Sequence, residues 1–336
     1  MSRGRPPPRM LMDRDTPLLG VAADIGGTNA RFALAHRTAS GGVALSERRV
    51  LHTGDFPTLE AAFEAYVADL NARPAHAVLA VAGPIANDEV KLTNSAWTFR
   101  QTSLPARLKL ETLRLINDFE AIAYALPQLG ANDFQPLGGP AFALPSAGRI
   151  SLVGPGSGLG VGLLLRQEQR DLVLPSEGGH ANFAPADEID AHILRIVAKN
   201  YPHVSVERLV CGEGLVKIYE ALALIEGRAV APQHSVQLWD AAIAGTDPHA
   251  VQARDRWLMM LGTFAGDIAL VHRAQAVVLA GGILPRFGDK LDAGGLLTRY
   301  RAKGRFEAMM RDIPIALLQY PDPGLMGAAS LLLRNT

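Results

Sequence analysis

A single cysteine, Cys211, stands among 336 residues. It excludes an internal disulfide and a four-thiolate zinc site, and it suits a reducing cytoplasm. Neither sign of charge is in excess: Lys plus Arg and Asp plus Glu both number 33. No net field therefore draws in nucleic acid or an anionic membrane surface. Long apolar runs are missing too, and none approaches the roughly 18 residues of a membrane-crossing helix. A Walker A loop needs GxxxxGK[ST] running into a helix, and no such string occurs. What remains is an ordinary packed globule, 48% hydrophobic and 20% charged. Its length exceeds the usual single core, so two domains are expected.

Residues 1–17, "MSRGRPPPRMLMDRDTP", are basic and proline-rich, without periodicity or the apolar core of a secretory signal. The expectation is a disordered leader, with too few arginines for a nucleic-acid-binding arm.

The informative stretch is "VAADIGGTNARFAL", residues 21 to 34. Two apolar runs flank Asp24, two glycines, Thr28 and Asn29, so the pattern is a hairpin with a bare corner. Glycines let backbone N–H groups approach a phosphate, but they also serve a plain β-turn. The pattern then returns. "RISLVGPGSGLGVGLLLRQ" is again strand, glycine corner with a hydroxyl, and strand, and the corners near 24 and 154 stand 130 residues apart. Two similar α/β halves would place both corners on opposite sides of one ligand, which favours phosphate binding over plain turns. A dinucleotide fingerprint is set aside, because "GPGSGLG" continues into a strand and not a helix. In "AQAVVLAGGILPRFGDKL" a buried strand ends at Gly281-Gly282 and a helical pattern follows. Such a turn either flanks a flat adenine or simply reverses the chain.

Polar groups cluster at the ends of other predicted elements. "LRLINDFEAIAYAL" places Asn117 and Asp118 at a strand end, with a helix beginning immediately after Asp118. An N-cap role and a chemical role are both compatible with that position. "LPSEGGHANFAP" supplies Glu177 and His180 around two glycines, in a stretch without helical or strand period. In "HVSVERLVCGEGL", Glu207 and Arg208 taken alone read as a surface ion pair. Carboxylates, amides and imidazole together are the inventory that recognises sugar hydroxyls, and phosphoryl transfer adds a carboxylate beside the attacking hydroxyl.

With these residues assembled, the chain closely resembles the bacterial glucokinases of the hexokinase–actin-like ATPase superfamily. The matching strings run in order from about Leu18 to the C-terminus: "ADIGGTNARFAL", "AVAGPI", "LTNSAWTF", "INDFEAIAYALP", "GPGSGLGVG", "PSEGGHANFAP", "HVSVERLVCGEGL", "AGGILPRF", "KGRF" and "DPGLMGAA". The resemblance implies an α/β, two-lobed actin-like ATPase/ribonuclease H-like fold with duplicated halves around a cleft. A small domain would span 18–128 plus 320–336, and a large one 129–319. It implies a cytoplasmic homodimer that transfers the γ-phosphate of ATP to the 6-hydroxyl of glucose with Mg²⁺. Asp118 would be the catalytic base. Asn94, Asn117, Asp118, Glu177, His180 and Glu207 would bind the sugar. ATP would lie on Asp24, Ile25, Gly26, Gly27, Thr28 and Asn29, on Gly156, Ser157 and Gly158, and on Gly281 and Gly282, with Asp24 holding Mg²⁺ through water. The chain departs from the family at Ser157, where threonine is more usual, and at the acid Glu213. A related repressor–kinase family carries a cysteine-rich zinc motif, which one cysteine rules out. A kinase for another hexose and a non-catalytic sugar-sensing regulator are the alternatives on this fold. Residues 1–17 are too short and proline-rich for the helix-turn-helix of a regulator, and a retained Asp118 favours an enzyme.

Overall fold

Small and β-branched residues with few charges make Leu18–Ile25 a strand, β1, that is buried along nearly its whole length. Burial on both faces is the mark of a strand covered by helices above and below. In the computed structural model, which describes residues 16–335 apart from 72, 84, 86, 93, 94, 169, 292 and 293, the chain is mixed α/β. The leader up to residue 15 and the expected sugar residue Asn94 therefore lie outside the described residues. Contacts divide the chain into two units, Met1–Gln128 with Asp322–Thr336, and Leu129–Pro321.

In the first unit, β1 pairs antiparallel with β2 (Asn29–Arg37), which pairs antiparallel with β3 (Val43–His52). On the other side of β1, β4 (His76–Val81) and β7 (Thr112–Asn117) add in parallel, giving the order β3-β2-β1-β4-β7. A separate short hairpin is made by β5 (Glu89–Lys91) and β6 (Thr98–Arg100). Three helices, α1 (Leu59–Val67), α2 (Leu104–Leu108) and α3 (Asp118–Ala125), precede the second unit, and a C-terminal helix (Pro323–Asn335) returns to the first. The period of two along β1 sorts its side chains. Val21, Ala23 and Ile25 join Phe63 and Tyr66 of α1 in one core. Asp24 lies on the alternate face, against the start of the C-terminal helix.

In the second unit, β8 (Phe134–Gly138), β9 (Gly148–Pro155), β10 (Leu159–Arg166), β11 (Leu172–Ser176), β12 (Ala276–Leu279) and β13 (Ile315–Leu318) form one sheet. Its order is β11-β10-β9-β12-β13-β8. Strands β11, β10 and β9 form an antiparallel meander, and β12 and β13 add in parallel. Apart from the extra edge strand β8, this repeats the first sheet strand for strand. The first strands of the two sheets, β1 and β9, end at Ile25 and Pro155, again 130 residues apart. Helices α4 (Glu188–Val197), α5 (Gly214–Ile225), α6 (Ser235–Ala244), α7 (Pro248–His272), α8 (Gly294–Arg301) and α9 (Glu307–Arg311) complete this unit. One local expectation fails. The segment after Gly282 is not an α-helix but 3₁₀ turns over Leu284–Lys290, because Gly288 leaves helical geometry at φ 51° and ψ −132°.

Helix α3 is seated on the C-terminal helix with no room between backbones. A Cβ on Gly327 would fall 1.7 Å from the Ala121 carbonyl oxygen. Gly327→Ala must therefore push α3 outward, and α3 begins at Asp118. The expected result is a loss of about 1–3 kcal/mol or more from forced overpacking, read as a lower Tm, together with reduced turnover. An unchanged melting curve would show that the two helices are free to separate.

Candidate active site

The corner after β1 is held by backbone and by one threonine. The Gly26 N–H donates to the Asn29 carbonyl at 2.9 Å, so the turn closes on itself. Thr53 fixes it from β3's end: its hydroxyl donates to the Gly27 carbonyl at 2.7 Å and its N–H to the Thr28 carbonyl at 2.9 Å. Around Gly26 the protein leaves room, since an added Cβ would meet nothing nearer than 3.7 Å. A backbone pinned from behind and open in front is suited to an anion.

Asp24, Ile25, Asn117 and Asp118 come together because three strands end level: Ile25 pairs with Val81, and Val81 with Asn117. The helix starts one residue earlier than expected. Asn117 is the N-cap, its Oδ1 accepting the Phe119 N–H at 2.8 Å and the Glu120 N–H at 3.4 Å. Asp118 is the first helical residue and accepts the Phe119 N–H on Oδ1 at 2.9 Å. Capping is thus done by the neighbour, which leaves Asp118 available for chemistry. Burial pushes the Asp118 carboxyl above the ordinary carboxylate range, against the pull of the Phe119 amide and Asn117.

Asp24 is shifted further, to about 6. Burial is the main cause. Arg31, with Nη1 3.6 Å from Oδ2, opposes it, while Asp118 and Asp322 add to it. Sequence reasoning found Asp24 but missed its surroundings. Arg31 also reaches Asp322 at 3.4 Å, and Arg48 reaches Asp322 at 3.5 Å. Gly324 lies flat against the carboxylate, where a Cβ would sit 2.8 Å from Cγ. The start of the C-terminal helix therefore faces a carboxylate, a favourable end of its dipole. The string "DPGLMGAA" carried this in plain view, without any local pattern to say what it touches.

The second unit gathers the other predicted residues. The corner of Gly156, Ser157 and Gly158 closes by a Gly156 N–H to Gly158 carbonyl bond of 2.8 Å. Gly281 packs beneath it, with φ 90° and an added Cβ only 2.4 Å from the Pro155 carbonyl oxygen. Gly156 and Gly282 would each bear a Cβ with nothing within 4 Å. His180 lies 3.8 Å from Glu177 and 3.9 Å from Glu207, and all three side chains reach solvent. Glu207 does not pair with Arg208, contrary to the ion-pair reading. Its Oε2 accepts the Leu159 N–H at 2.8 Å, while Arg208 stacks over Tyr201. The partner of Glu207 is a backbone amide far along the chain, which no neighbouring residue announces. Glu213, the unexpected acid, is engaged by the Ser235 hydroxyl at 2.6 Å.

Two tryptophans that the sequence reading passed over set the backing of this corner. The Gly212 N–H donates to the Gly156 carbonyl at 2.8 Å. The carbonyls of Gly212 and Cys211 accept from the indoles of Trp239 at 2.9 Å and Trp257 at 3.1 Å. The two rings meet edge to face, 5.0 Å apart, and both are buried. Burial raises the Cys211 thiol above its ordinary value, which keeps it an inert packing residue. Among the described residues no cluster of three or more His, Cys, Asp or Glu could hold a metal ion by itself, and no helix is long and apolar enough to cross a membrane.

By fold the protein is a sugar kinase. The crystal structure of a glucokinase from an Antarctic psychrotroph superposes with a TM-score of 0.83 at 33% identity, covering 94% of this chain and 98% of that one. The family profile described as Glucokinase matches residues 21–335. The glucokinase of Zymomonas mobilis is 42% identical over 311 residues, 92% of this chain and 96% of its own. That of Nitrobacter hamburgensis is 40% identical over 323 residues, 95% and 99% of the two chains. The chain belongs to the glucokinase family, whose members are ATP-dependent hexose kinases.

The raised pKa of Asp24 has a stability consequence of definite sign. The folded state holds its proton up to about pH 6, whereas the ordinary value is 3.8. The favourable contribution is thus complete below pH 3.8 and is lost as pH rises through about 6. At pH 8 the metal-free protein carries an ionised, desolvated Asp24. Asp24→Asn should then be more stable than the parent by up to about 3 kcal/mol, a gap that closes as pH falls toward 4. Parallel Tm-against-pH curves for the two proteins would show that Asp24 is not strained.

Proposed function

We propose that this chain transfers the γ-phosphate of ATP to the 6-hydroxyl of glucose, with Asp118 as the base. The observation that carries this reading is the division of labour at the start of α3. Asn117 caps the helix, and Asp118 keeps a half-buried carboxylate of raised pKa beside Asp24. A raised value brings a carboxylate nearer to the operating pH, where a general base is most effective. As the hydroxyl oxygen forms its bond to phosphorus, its proton passes to the Asp118 carboxylate and ADP leaves with the electron pair of the broken bond. In a loose transition state the proton moves late, so holding the hydroxyl in line is as much a part of the role as accepting the proton.

Asn117, Glu177, His180 and Glu207 are assigned to the sugar hydroxyls, with Asn94 as a further member. Carboxylates accept and the imidazole can donate or accept, so the set reads hydroxyl orientation by leaving a mismatched group unpaired. The corners Asp24 to Asn29 and Gly156 to Gly158 are assigned to the phosphates, and Gly281-Gly282 to the adenosine. The strand order common to both sheets supports the duplicated, ribonuclease H-like, actin-like ATPase architecture.

The residues fit Mg²⁺ of a particular kind. Asp24 is a desolvated carboxylate with two further acids near it, so its charge invites a cation. With no three-ligand cluster among the described residues, such an ion would keep most of its waters, as Mg²⁺ does beside phosphate. When bound it supplies charge neutralisation on the transferred phosphoryl group. A cytoplasmic homodimer belongs to the same reading, and its support is family membership.

Two measurements test this. Asp118→Asn is nearly isosteric and should lower kcat by about 10²–10⁴-fold while glucose affinity by calorimetry is kept. Turnover within about threefold of the parent, under roughly 1 kcal/mol in the barrier, would leave Asp118 a purely structural residue. Chelation should abolish activity, and Mg²⁺ but not Zn²⁺ should restore it; full activity in excess chelator would remove the cation from the account.

A further inference from the structure

Glu207 stands in two settings at once. Its Oε1 faces His180 Nδ1 at 3.9 Å, among the residues assigned to the sugar. Its Oε2 accepts the N–H of Leu159 at 2.8 Å, the first amide after the Gly156–Gly158 corner. The corner is shaped around that carboxylate, since a Cβ on Gly158 would fall 2.5 Å from Oε2.

We infer that Glu207 is a positioning residue of the second phosphate loop, so that one carboxylate serves both ligands of this unit. The inference rests on the reading of Gly156–Gly158 as a phosphate loop. An anion cradle works only when its peptide planes are aimed in advance, because reorienting them on binding costs affinity. The peptide between Gly158 and Leu159 has one face turned to Glu207 by a charge-assisted hydrogen bond, the stronger kind. The opposite rim of the corner is held independently by the Gly212 N–H on the Gly156 carbonyl. Glu207 therefore supplies the second of two anchors, and it is the one exposed to the state of the sugar site.

A carboxylate near phosphates also repels them, so its charge and its hydrogen bond act in opposite directions. Two neutral variants separate them. Glu207→Gln retains an oxygen that can accept the Leu159 N–H, and Glu207→Ala retains none. Calorimetry of AMPPNP with Mg²⁺, without sugar, should show Glu207→Ala binding at least about fivefold more weakly than Glu207→Gln. Glu177→Ala, which removes the other acid of the sugar set, should keep the parental AMPPNP affinity. Glu207→Ser replaces the alanine variant if that chain does not fold.

Equal AMPPNP affinities for Glu207→Ala and Glu207→Gln, within about twofold, overturn the inference. So does a loss in Glu177→Ala as large as that in Glu207→Ala. Glucose titrations of the same proteins report separately on the sugar assignment: weakened glucose binding with equal AMPPNP affinities leaves that assignment standing while the inference falls. Gly156→Val, placed where the protein itself leaves open space, tests the loop reading. Unchanged AMPPNP affinity there would remove the phosphate loop and the inference together.

Discussion

The first unit is organised around one electrostatic constraint: the Asp24 carboxylate must hold a charge where water cannot fully solvate it. Burial and two nearby acids work against that charge. Among the described residues, compensation comes from Arg31, shared with Asp322, and from the start of the C-terminal helix. A helix from the far end of the chain has to approach within van der Waals contact of β1 to supply it, which requires a residue without a side chain at Gly324. The same helix then carries α3, and α3 carries Asp118. The placement of the Asp118 carboxyl is thus a consequence of how closely two backbones can pack.

Such an arrangement is costly in the folded state by itself. In the proposed reading a cation would offset that cost at a carboxylate that has lost its water, and phosphates would meet a backbone corner already pinned by Thr53. Functional sites often store instability of this sort, and the ligand releases it. The second unit braces its corner from two sides, one of them the Glu207 carboxylate on the Leu159 amide. Its corner is held by hydrogen bonds that run outward from Gly156 to Gly212 and on to two buried indoles. Those indoles belong to a closely packed aromatic cluster with Phe287, so the stiffness of the hydrophobic core is passed directly to the loop.

Much of this was readable in the order of residues. The hairpin with a bare corner, its return after 130 residues, and the acid–amide pair at the end of β7 are local patterns, and local patterns survive in one dimension. The misreadings share a cause. Glu207 resembled half of a surface ion pair because Arg208 follows it, whereas its partner is an amide reached only after the chain folds back. The segment after Gly282 had helical spacing, but Gly288 broke the geometry. Arg31, Asp322 and Gly324 were all visible as residues and invisible as a group.

The sequence by itself determined the mixed α/β class, the two glycine corners and the acid–amide pair at a strand end. Each of these depends on residue type and on spacing within a few turns of chain. Only the tertiary structure decided which carboxylate is strained, which of Asn117 and Asp118 caps the helix, and which side chains brace the corners. Those outcomes depend on desolvation and on contacts between segments distant in the chain, and neither quantity exists until the backbone has been packed.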